Sequence, residues 1–365
     1  MKIAMLVSGG VDSSVSLRLL KDQGHEITAF YLKIWLEDEM SFLGECPWED
    51  DLSYIEKICK DADVPLEVVP FQKEYWERIV SYTLDEVKVG RTPNPDVLCN
   101  TRVKFGAFYE YIVKEYGEKY FDKIASGHYA QTEIIDGATY LKRSPDETKD
   151  QTYFLSQLTQ VQVARAMFPI GGMMKSEVRV LAEKFNLPNS SRPDSQGLCF
   201  LGKIRFDDFL EFHLGKSVGD IIDKETGEKM GEHNGFWYYT IGQRKGIKLS
   251  GGPWYVVGKD ADRNIVYISN AYRSEQSARN SFEVQWMNWI LPTDEMQKNA
   301  ASSHTLKVKL RHGPLMYGCK IINYHEDKNP ILKVVIDGFD TGIAPGQFAV
   351  FYDGEYCLGS AVIMK

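Results

Sequence analysis

The sequence predicts an α/β protein: a doubly wound parallel sheet first, then a smaller central domain, then a C-terminal all-β unit, either a small barrel or a sandwich. Three observations carry this. Over residues 1–130, short apolar runs alternate with segments of helical periodicity. A glycine turn, Ser8-Gly9-Gly10, falls on the first strand–helix junction. From about Phe206 the character changes to short strands between glycine-rich turns. A chain of 365 residues with 43% hydrophobic content exceeds one comfortable core, and the expected units are 1–205, 206–275 and 276–365.

The elements follow in order. Lys2–Val7 is a short apolar strand, and Ser13–Gln23 has helical spacing through Val15, Leu17, Leu19 and Leu20. Glu26–Trp35, rich in β-branched and aromatic residues, is the second strand. Leu52–Asp61 reads as a helix, Leu66–Pro70 as a strand, Glu74–Val87 and Val103–Tyr116 as helices, and Lys123–Ser126 as a strand. Asp136-Gly137 between Thr132–Ile135 and Thr139–Lys142 predicts a hairpin. Helices are expected over Thr152–Met167 and Lys175–Phe185, and Tyr272–Asn280 reads as a polar linker. Strands then recur at Thr305–Leu310, Gly318–Ile322, Ile331–Ile336, Ala349–Tyr352 and Gly359–Ile363.

Composition narrows the class. A net charge of −8 argues at face value against a polyanionic partner. Eleven acids and only Lys57 and Lys60 lie between Glu37 and Glu67, however, so the rest of the chain is nearly neutral and any basic surface must be local. That acidic run is expected to lie away from any nucleic-acid path. No apolar run approaches the roughly 20 residues of a membrane span. The N-terminus runs straight into a strand, without a signal or transit pattern, and six scattered cysteines without CxxC spacing favour a reducing, cytoplasmic setting. No metal-ligand spacing is present, so no protein metal site is expected.

Ser8-Gly9-Gly10-Val11-Asp12-Ser13-Ser14 sits where open α/β sheets bind phosphates. Two glycines let backbone N–H groups face an anion, and the following helix N-terminus adds positive field. Asp12 can hold Mg²⁺ or cap the helix, and the absence of a loop lysine excludes a Walker A motif. The loop resembles that of the N-type ATP pyrophosphatases, which grip the β,γ-pyrophosphate and transfer AMP to a substrate oxygen. A second match, Gly197 to Lys203, fits GxxxxGK, but Ile204 replaces the required hydroxyl residue.

Two cysteines lie in polar, Pro/Gly-rich contexts. Cys99 ends Arg91-Thr92-Pro93-Asn94-Pro95-Asp96-Val97-Leu98-Cys99, read as a rigid loop ahead of the Val103 helix, with Asp96 in reach as a base. Arg102 and Lys104 and the coming helix predict a thiolate-favouring environment. Cys199 lies in Asp194-Ser195-Gln196-Gly197-Leu198-Cys199. Cys59, Cys319 and Cys357 read as small core residues, and Cys46 stays undecided. Beside an adenylating loop, two loop cysteines suggest sulfur chemistry on an activated carbonyl.

These motifs, with SGHYA (126–130), KDQTYFLSQLT (149–159), YYTIGQRKGI, PWYVVGKD (253–260) and APGQFAVFYDGEYCLG, run almost end to end. Together they resemble the tRNA-specific 2-thiouridylases of the bacterial and organellar type. The resemblance implies a nucleotide domain, a small central domain and a C-terminal β-barrel. It implies ATP, with Mg²⁺, at Leu6, Val7, Ser8, Gly9, Gly10, Val11, Asp12 and Ser13, with Leu32 and Gly127 near the adenosine. The C2 oxygen of uridine 34 would be adenylated. Cys199 would carry a persulfide from an upstream donor protein, Cys99 would be the partner nucleophile, and the two would end as a disulfide. Asp96 would be the general acid/base. Implied tRNA contacts are Asn94, Pro95 and Asp96 at the base, and His128, Lys149, Asp150, Gln151, Lys309, Leu310, Arg311 and Gln347 elsewhere, with tRNAs for Lys, Glu and Gln as the substrates.

Departures from the family pattern are modest: Thr152 stands for the usual Ser, Leu32 for Met, and Lys309, Leu310 and His312 alter the RYRQ run. From residues alone RNA binding has weaker support. Arg244, Lys245 and Lys248 lie beside Trp237, Tyr238 and Tyr239, and Lys307, Lys309 and Arg311 form a second cluster, yet neither C-terminal domain is basic overall. Two other classes compete: an amide-forming synthetase with the same loop, which needs neither cysteine, and a non-catalytic RNA-binding protein, which needs no intact loop.

Overall fold

The structure, a computed structural model, describes residues 1–34, 48–194, 205–271, 279–322 and 330–364. Its first sheet is built from β1 (Lys2–Val7), β2 (Glu26–Lys33), β3 (Leu66–Pro70), β4 (Lys123–Ala125) and the two-residue β7 (Ala166–Met167), in the order β3-β2-β1-β4-β7. All its pairings are parallel, which puts the C-terminal ends of the strands, and the loops after them, along one edge. Its two faces are covered by separate apolar clusters. Val15, Leu17, Leu20 and Ile55 belong to one; Phe30, Phe105, Phe108 and Ile124 belong to the other. The helices supplying these faces include α1 (Val11–Asp22), α2 (Trp48–Asp61), α3 (72–88) and α4 (95–116).

Several elements differ from expectation, each for a local reason. α4 begins at Pro95, eight residues before the expected Val103, so Asp96 and Cys99 lie in its first turns rather than in a loop. Asn94 is extended and Pro95 takes the first helical position, where a missing N–H costs nothing. Cys99–Ala107 is then wound with i→i+5 hydrogen bonds, a widening often found at functional sites. The expected Thr152–Met167 helix is two short ones, α5 (Thr152–Leu155) and α6 (Gln160–Arg165). The Ser156 hydroxyl bonds the Tyr153 carbonyl at 2.8 Å, and Thr159 with Gln162 forms a capping box that starts the second helix.

α7 (Lys175–Lys184) matches its expectation, but α8 (Phe206–Leu214) stands where strands were expected. Its apolar residues at 206, 209, 210 and 214 follow the helical period, and Gly215, with φ +69°, terminates it. The central sheet is β8 (Gly219–Asp223), β9 (Lys229–His233), β10 (Tyr255–Asp260) and β11 (Ile265–Ser269), in the order β10-β11-β8-β9 around Ile221, Trp254, Val256 and Ile268.

The C-terminal unit is a closed antiparallel barrel of six strands: β12 (Arg279–Trp289), β13 (Leu306–Lys309), β14 (Tyr317–Ile322), β15 (Leu332–Asp340), β16 (Phe348–Asp353) and β17 (Tyr356–Ile363), with β12 pairing both β15 and β17. β12 starts within the expected linker, whose residues 272–278 lie outside the described ones. An unforeseen helix, α9 (Asp294–Ala301), starts at the Thr293 cap. The predicted hairpin, β5 (Ala130–Ile135) and β6 (Ala138–Arg143), is present, and β6 extends the barrel sheet by pairing with β17. The first domain and the barrel thus share a sheet.

Candidate active site

The phosphate loop is shaped by close backbone contacts. Gly9 has φ +73°, and a Cβ there would lie 2.8 Å from the Asp51 Cα. A Cβ on Gly127 would lie 2.6 Å from the Ser13 nitrogen and 2.8 Å from the Asp12 carbonyl carbon. Neither position therefore has room for a side chain, and Gly9 also sits in the left-handed region that favours glycine. The Ser13 and Ser14 hydroxyls donate to the Gly10 carbonyl at 3.0 and 2.9 Å, and Ser8 N–H donates to Ser13 Oγ at 3.3 Å. Asn189, buried, donates its Nδ2 to the Gly9 carbonyl at 2.8 Å and to Ser14 Oγ at 3.0 Å. Arg192 adds a donor to the same carbonyl at 3.2 Å and pairs with Asp51 at 2.6 Å. Burial raises the Asp51 carboxyl above the ordinary carboxylate range, against the lowering effect of Arg192. One member of the acidic run thus packs on the phosphate loop.

Asp12 points away from α1 into a charge network. Tyr129 donates its hydroxyl to Asp12 Oδ1 at 2.9 Å, and Lys175 Nζ lies 2.7 and 2.9 Å from the two carboxylate oxygens. The same Nζ is 2.8 Å from Asp194 Oδ1, and Asp194 also accepts from Lys149 at 2.6 Å and Arg179 at 2.6 Å. Burial alone would raise the Asp194 carboxyl; the hydrogen bonds from Lys149 and Lys175 outweigh it and hold it well below the ordinary range. Asp194 opens the segment carrying Cys199. Cys199 itself, like Cys46, lies outside the described residues. Leu32, half-buried near the C-terminal end of β2, lies beyond Val7 and Tyr31 in register, at the edge from which the loop springs.

Cys99 is only 1% exposed. Burial raises its thiol above the ordinary value; Lys104 and a hydrogen bond with Tyr75 act to lower it, and Asp96 acts to raise it. The expected thiolate-favouring environment is corrected here: Lys104 does act as anticipated, but desolvation is the larger effect. Half-buried His128 donates to or accepts from Ser126 Oγ through Nδ1 at 2.8 Å. Burial, with Lys104 second, holds this imidazole well below its ordinary value and therefore neutral at pH 7. Lys104 thus links the field at Cys99 with that at the SGHYA turn.

The barrel reaches this segment directly. Thr92 N–H donates to the Pro345 carbonyl at 2.8 Å, and Gln347 Nε2 donates to the Thr92 carbonyl at 2.7 Å. The Asn94 side chain hydrogen-bonds Tyr153, whose hydroxyl donates to the Phe348 carbonyl at 3.2 Å. Pro95 is buried beneath them. Gln151 accepts the Tyr129 N–H at 2.9 Å. Fully buried Asp150 accepts from Arg143 at 3.1 Å, Lys309 at 3.2 Å and the Thr152 hydroxyl at 2.8 Å. Lys309 and Leu310 are buried too, so this part of the basic cluster turns inward, whereas Arg311 is half-exposed and paired with Asp340. Lys175, Tyr129, Asn189, Arg192, Asp51 and Tyr75 were not singled out from the sequence.

Three family models cover the chain: a tRNA methyl transferase HUP domain over residues 1–203, a tRNA methyl transferase PRC-barrel domain over 207–270 and an aminomethyltransferase beta-barrel domain over 279–363. The chain is 46% identical to the tRNA-specific 2-thiouridylase MnmA of Parabacteroides distasonis, covering 100% of this chain and 99% of that one. It is 44% identical to its counterpart from Porphyromonas gingivalis, over 100% and 99% of the two chains. It is also 44% identical to MnmA 1 of Bacteroides thetaiotaomicron, over all of both. The chain belongs to the tRNA-specific 2-thiouridylase family. In this thiouridylase framework the phosphate loop and the Asp96–Cys99 turn come from the first domain, and the barrel closes on the second of them at Thr92.

Proposed function

We propose that the chain is a tRNA-uridine 2-sulfurtransferase that uses ATP to replace the C2 oxygen of the wobble uridine, U34, with sulfur. The observation that carries this reading is one sheet domain holding both a glycine cradle for an anion and, in α4, a cysteine with a carboxylate three residues before it.

The cradle fits ATP: a methyl group on Gly9 or Gly127 would fill the space against Asp51 or Ser13. Among the described residues no group of three or more His, Cys, Asp or Glu could hold a metal by itself. Mg²⁺ suits the site instead as a partner of the phosphates and the single carboxylate of Asp12, the usual manner for this ion. When bound, ATP supplies the adenylyl group that makes the C2 oxygen a leaving group. Gly9, Gly10 and the start of α1 orient the phosphates, and Leu32 and Gly127 bound the adenosine. Asn94, Pro95 and Asp96 present the base, Asp96 moves the proton, and Cys99 is the nucleophile that accompanies a Cys199 persulfide. The C2–O bond breaks, with AMP leaving, as the outer sulfur of the Cys199 persulfide bonds C2, either directly or as hydrosulfide released by Cys99; the persulfide S–S bond breaks as Cys99 Sγ bonds Cys199 Sγ, and a thiol reductant reopens that disulfide.

The substrates proposed are the tRNAs for Lys, Glu and Gln, with a persulfide-carrying protein as donor. Arg311, His128, Lys149 and Gln347 would contact the tRNA, while Lys309, Leu310, Asp150 and Gln151 would position that surface from beneath. No described helix is long and apolar enough to cross a membrane, and a cytoplasmic location is proposed. The test is pyrophosphate release on mixing protein, Mg·ATP and unmodified tRNA. Release that depends on a U34-containing tRNA is expected; release without tRNA, or with a U34→C tRNA alike, would point to another adenylating reaction.

A further inference from the structure

The wide turn in α4 is held from outside the helix. Over Cys99–Ala107 the backbone bonds run i→i+5. Gln162, in α6, donates its Nε2 to two carbonyls of this turn, Thr101 at 3.0 Å and Phe105 at 3.1 Å. Arg78 in α3 donates to the Arg102 carbonyl at 3.2 Å, and Arg102 donates to the Arg78 carbonyl at 3.0 Å. Asn100 ties the start of the turn to α5 through the Phe154 carbonyl at 3.0 Å. A Cβ on Gly106 would lie 2.5 Å from the Thr101 carbonyl oxygen, five residues back, so the wide winding leaves no room for a side chain there. A side chain inserted into the ladder is a known way to hold such a turn, and such turns are frequent at functional sites.

The winding decides which side chain stands over Cys99. With i→i+5 bonds, residue 104 lies one turn beyond residue 99. Ordinary α winding would give that place to Val103, and Lys104 would lie about 140° round the axis from Cys99. Lys104 is half-buried, and its ammonium acts on both the Cys99 thiol and the His128 imidazole. Asp96 of the same helix and Tyr75 of α3 also act on the thiol, and His128 is neutral. Arg102, the other basic residue of the turn, is drawn off to α3, its guanidinium 4.9 Å from the centre of the Tyr82 ring. Of the groups that act on the thiol, Lys104 is the positive one. Desolvation opposes an anion at Cys99, so a nearby cation is what an attack by this sulfur needs.

We propose that the wide turn is a positioning device for sulfur transfer: clamped by Gln162, it sets the Lys104 ammonium over Cys99, where it steadies the thiolate that attacks the Cys199 persulfide. The inference rests on the sulfurtransferase reading above and adds two residues to it. In either route Cys99 gives up its proton, to Asp96 in that reading, and its electron pair forms the bond to Cys199 Sγ. The persulfide S–S bond breaks, and the outer sulfur leaves with the electrons of that bond. Lys104 keeps its proton throughout.

The test is alkylation of Cys99 by iodoacetamide in the full chain between pH 7 and pH 10, read by peptide mass spectrometry, which needs neither ATP nor tRNA. Because the thiolate is the reacting species, Lys104→Gln is expected to slow alkylation about tenfold at pH 8 and to move its rise upward by about one pH unit, with Lys104→Arg within about twofold of wild type. Gln162→Met, which keeps the Lys104 charge and releases the two carbonyls, is expected to slow alkylation about threefold, and to add almost nothing in the Lys104→Gln background. A Lys104 that only packs the turn gives the opposite sign, since loosening exposes Cys99 and speeds alkylation at every pH. Lys104→Met and Gln162→Leu serve where a first variant does not fold. Alkylation of the Lys104→Gln variant as fast as wild type or faster overturns the proposal, as does a Gln162 effect of equal size in both backgrounds. Nucleoside mass spectrometry of tRNA keeps the two readings apart. Wild type that forms no 2-thiouridine overturns the sulfurtransferase reading itself, whereas full thiolation by Lys104→Gln overturns the role given to Lys104 alone.

Discussion

Gln347, in the loop before β16, donates a hydrogen bond to the carbonyl of Thr92, three residues ahead of the helix that carries Asp96 and Cys99. The Thr92 N–H is held in turn by the Pro345 carbonyl, and a Cβ on Gly346 would lie 2.9 Å from the Thr92 nitrogen. The barrel therefore grips both backbone polar groups of one residue, Thr92, just ahead of the helix that carries Asp96 and Cys99. If the barrel takes part in tRNA binding as proposed, these contacts would couple it to the place where Asn94 and Pro95 would present the base.

Gln347→Ala removes one of these two hydrogen bonds, a loss of about 1 kcal/mol where the contact is made. The expected result is several-fold slower thiolation at saturating ATP, with ATP affinity unchanged. Single-turnover thiolation alongside nucleotide calorimetry checks this; weakened ATP binding would place the effect in the wrong site.

Cys99 is buried, and its thiol is raised by desolvation. In the free protein its alkylation by iodoacetamide at pH 7.5 should therefore be about tenfold or more slower than that of an unstructured cysteine peptide. It should rise when tRNA opens the segment. Peptide mass spectrometry reads the rates, and a free-protein rate equal to the peptide's would contradict the burial.

Gly127 packs against the first turn of α1 with no room for a methyl group, and its nearest neighbours are backbone atoms. Gly127→Ala must displace the loop or the SGHYA turn. A weakening of ATP binding by about tenfold, equivalent to 1.4 kcal/mol, is expected. Unaltered ATP affinity would show that Gly127 is remote from the nucleotide.

The Asp194 carboxyl has a folded-state value below its unfolded one. The unfolded chain then takes up the proton first on acidification, so the stability contributed by this group is fully present above the ordinary carboxylate value, about 4, and is lost as pH falls below it. Asp194→Asn should lower stability at pH 7 and flatten the acid limb of the stability curve. Urea unfolding at pH 7 and pH 3.5 measures both; a variant whose loss is the same at the two pH values would remove Asp194 from the acid limb.

The loop from Ser8 to Ser14 was legible in the sequence because motif and element lie together: a strand, two glycines and a helix start within a dozen residues. The partners of Asp12 were not. Tyr129 and Lys175 are 117 and 163 residues away and stand in ordinary local contexts, so only the folded sheet reveals them. Cys99 was found as a residue but given the wrong surroundings, because Pro95 was taken as a loop residue when it begins a helix. Lys309 misled differently. It was read with Lys307 and Arg311 as one local basic cluster, but Lys309 is buried and its ammonium is held by Asp150 of the first domain, while Lys307 is exposed. The capping box at Thr159 and the helical spacing from Phe206 were present in the sequence and were passed over.

The most direct measurement is nucleoside mass spectrometry of tRNA incubated with this protein, Mg·ATP and a persulfide donor. Wild type is expected to convert U34 to 2-thiouridine, and Cys99→Ser and Cys199→Ser to leave it unmodified. No 2-thiouridine from the wild type, or equal amounts from wild type and Cys99→Ser, would contradict the assignment of a thiolating enzyme built on these two cysteines.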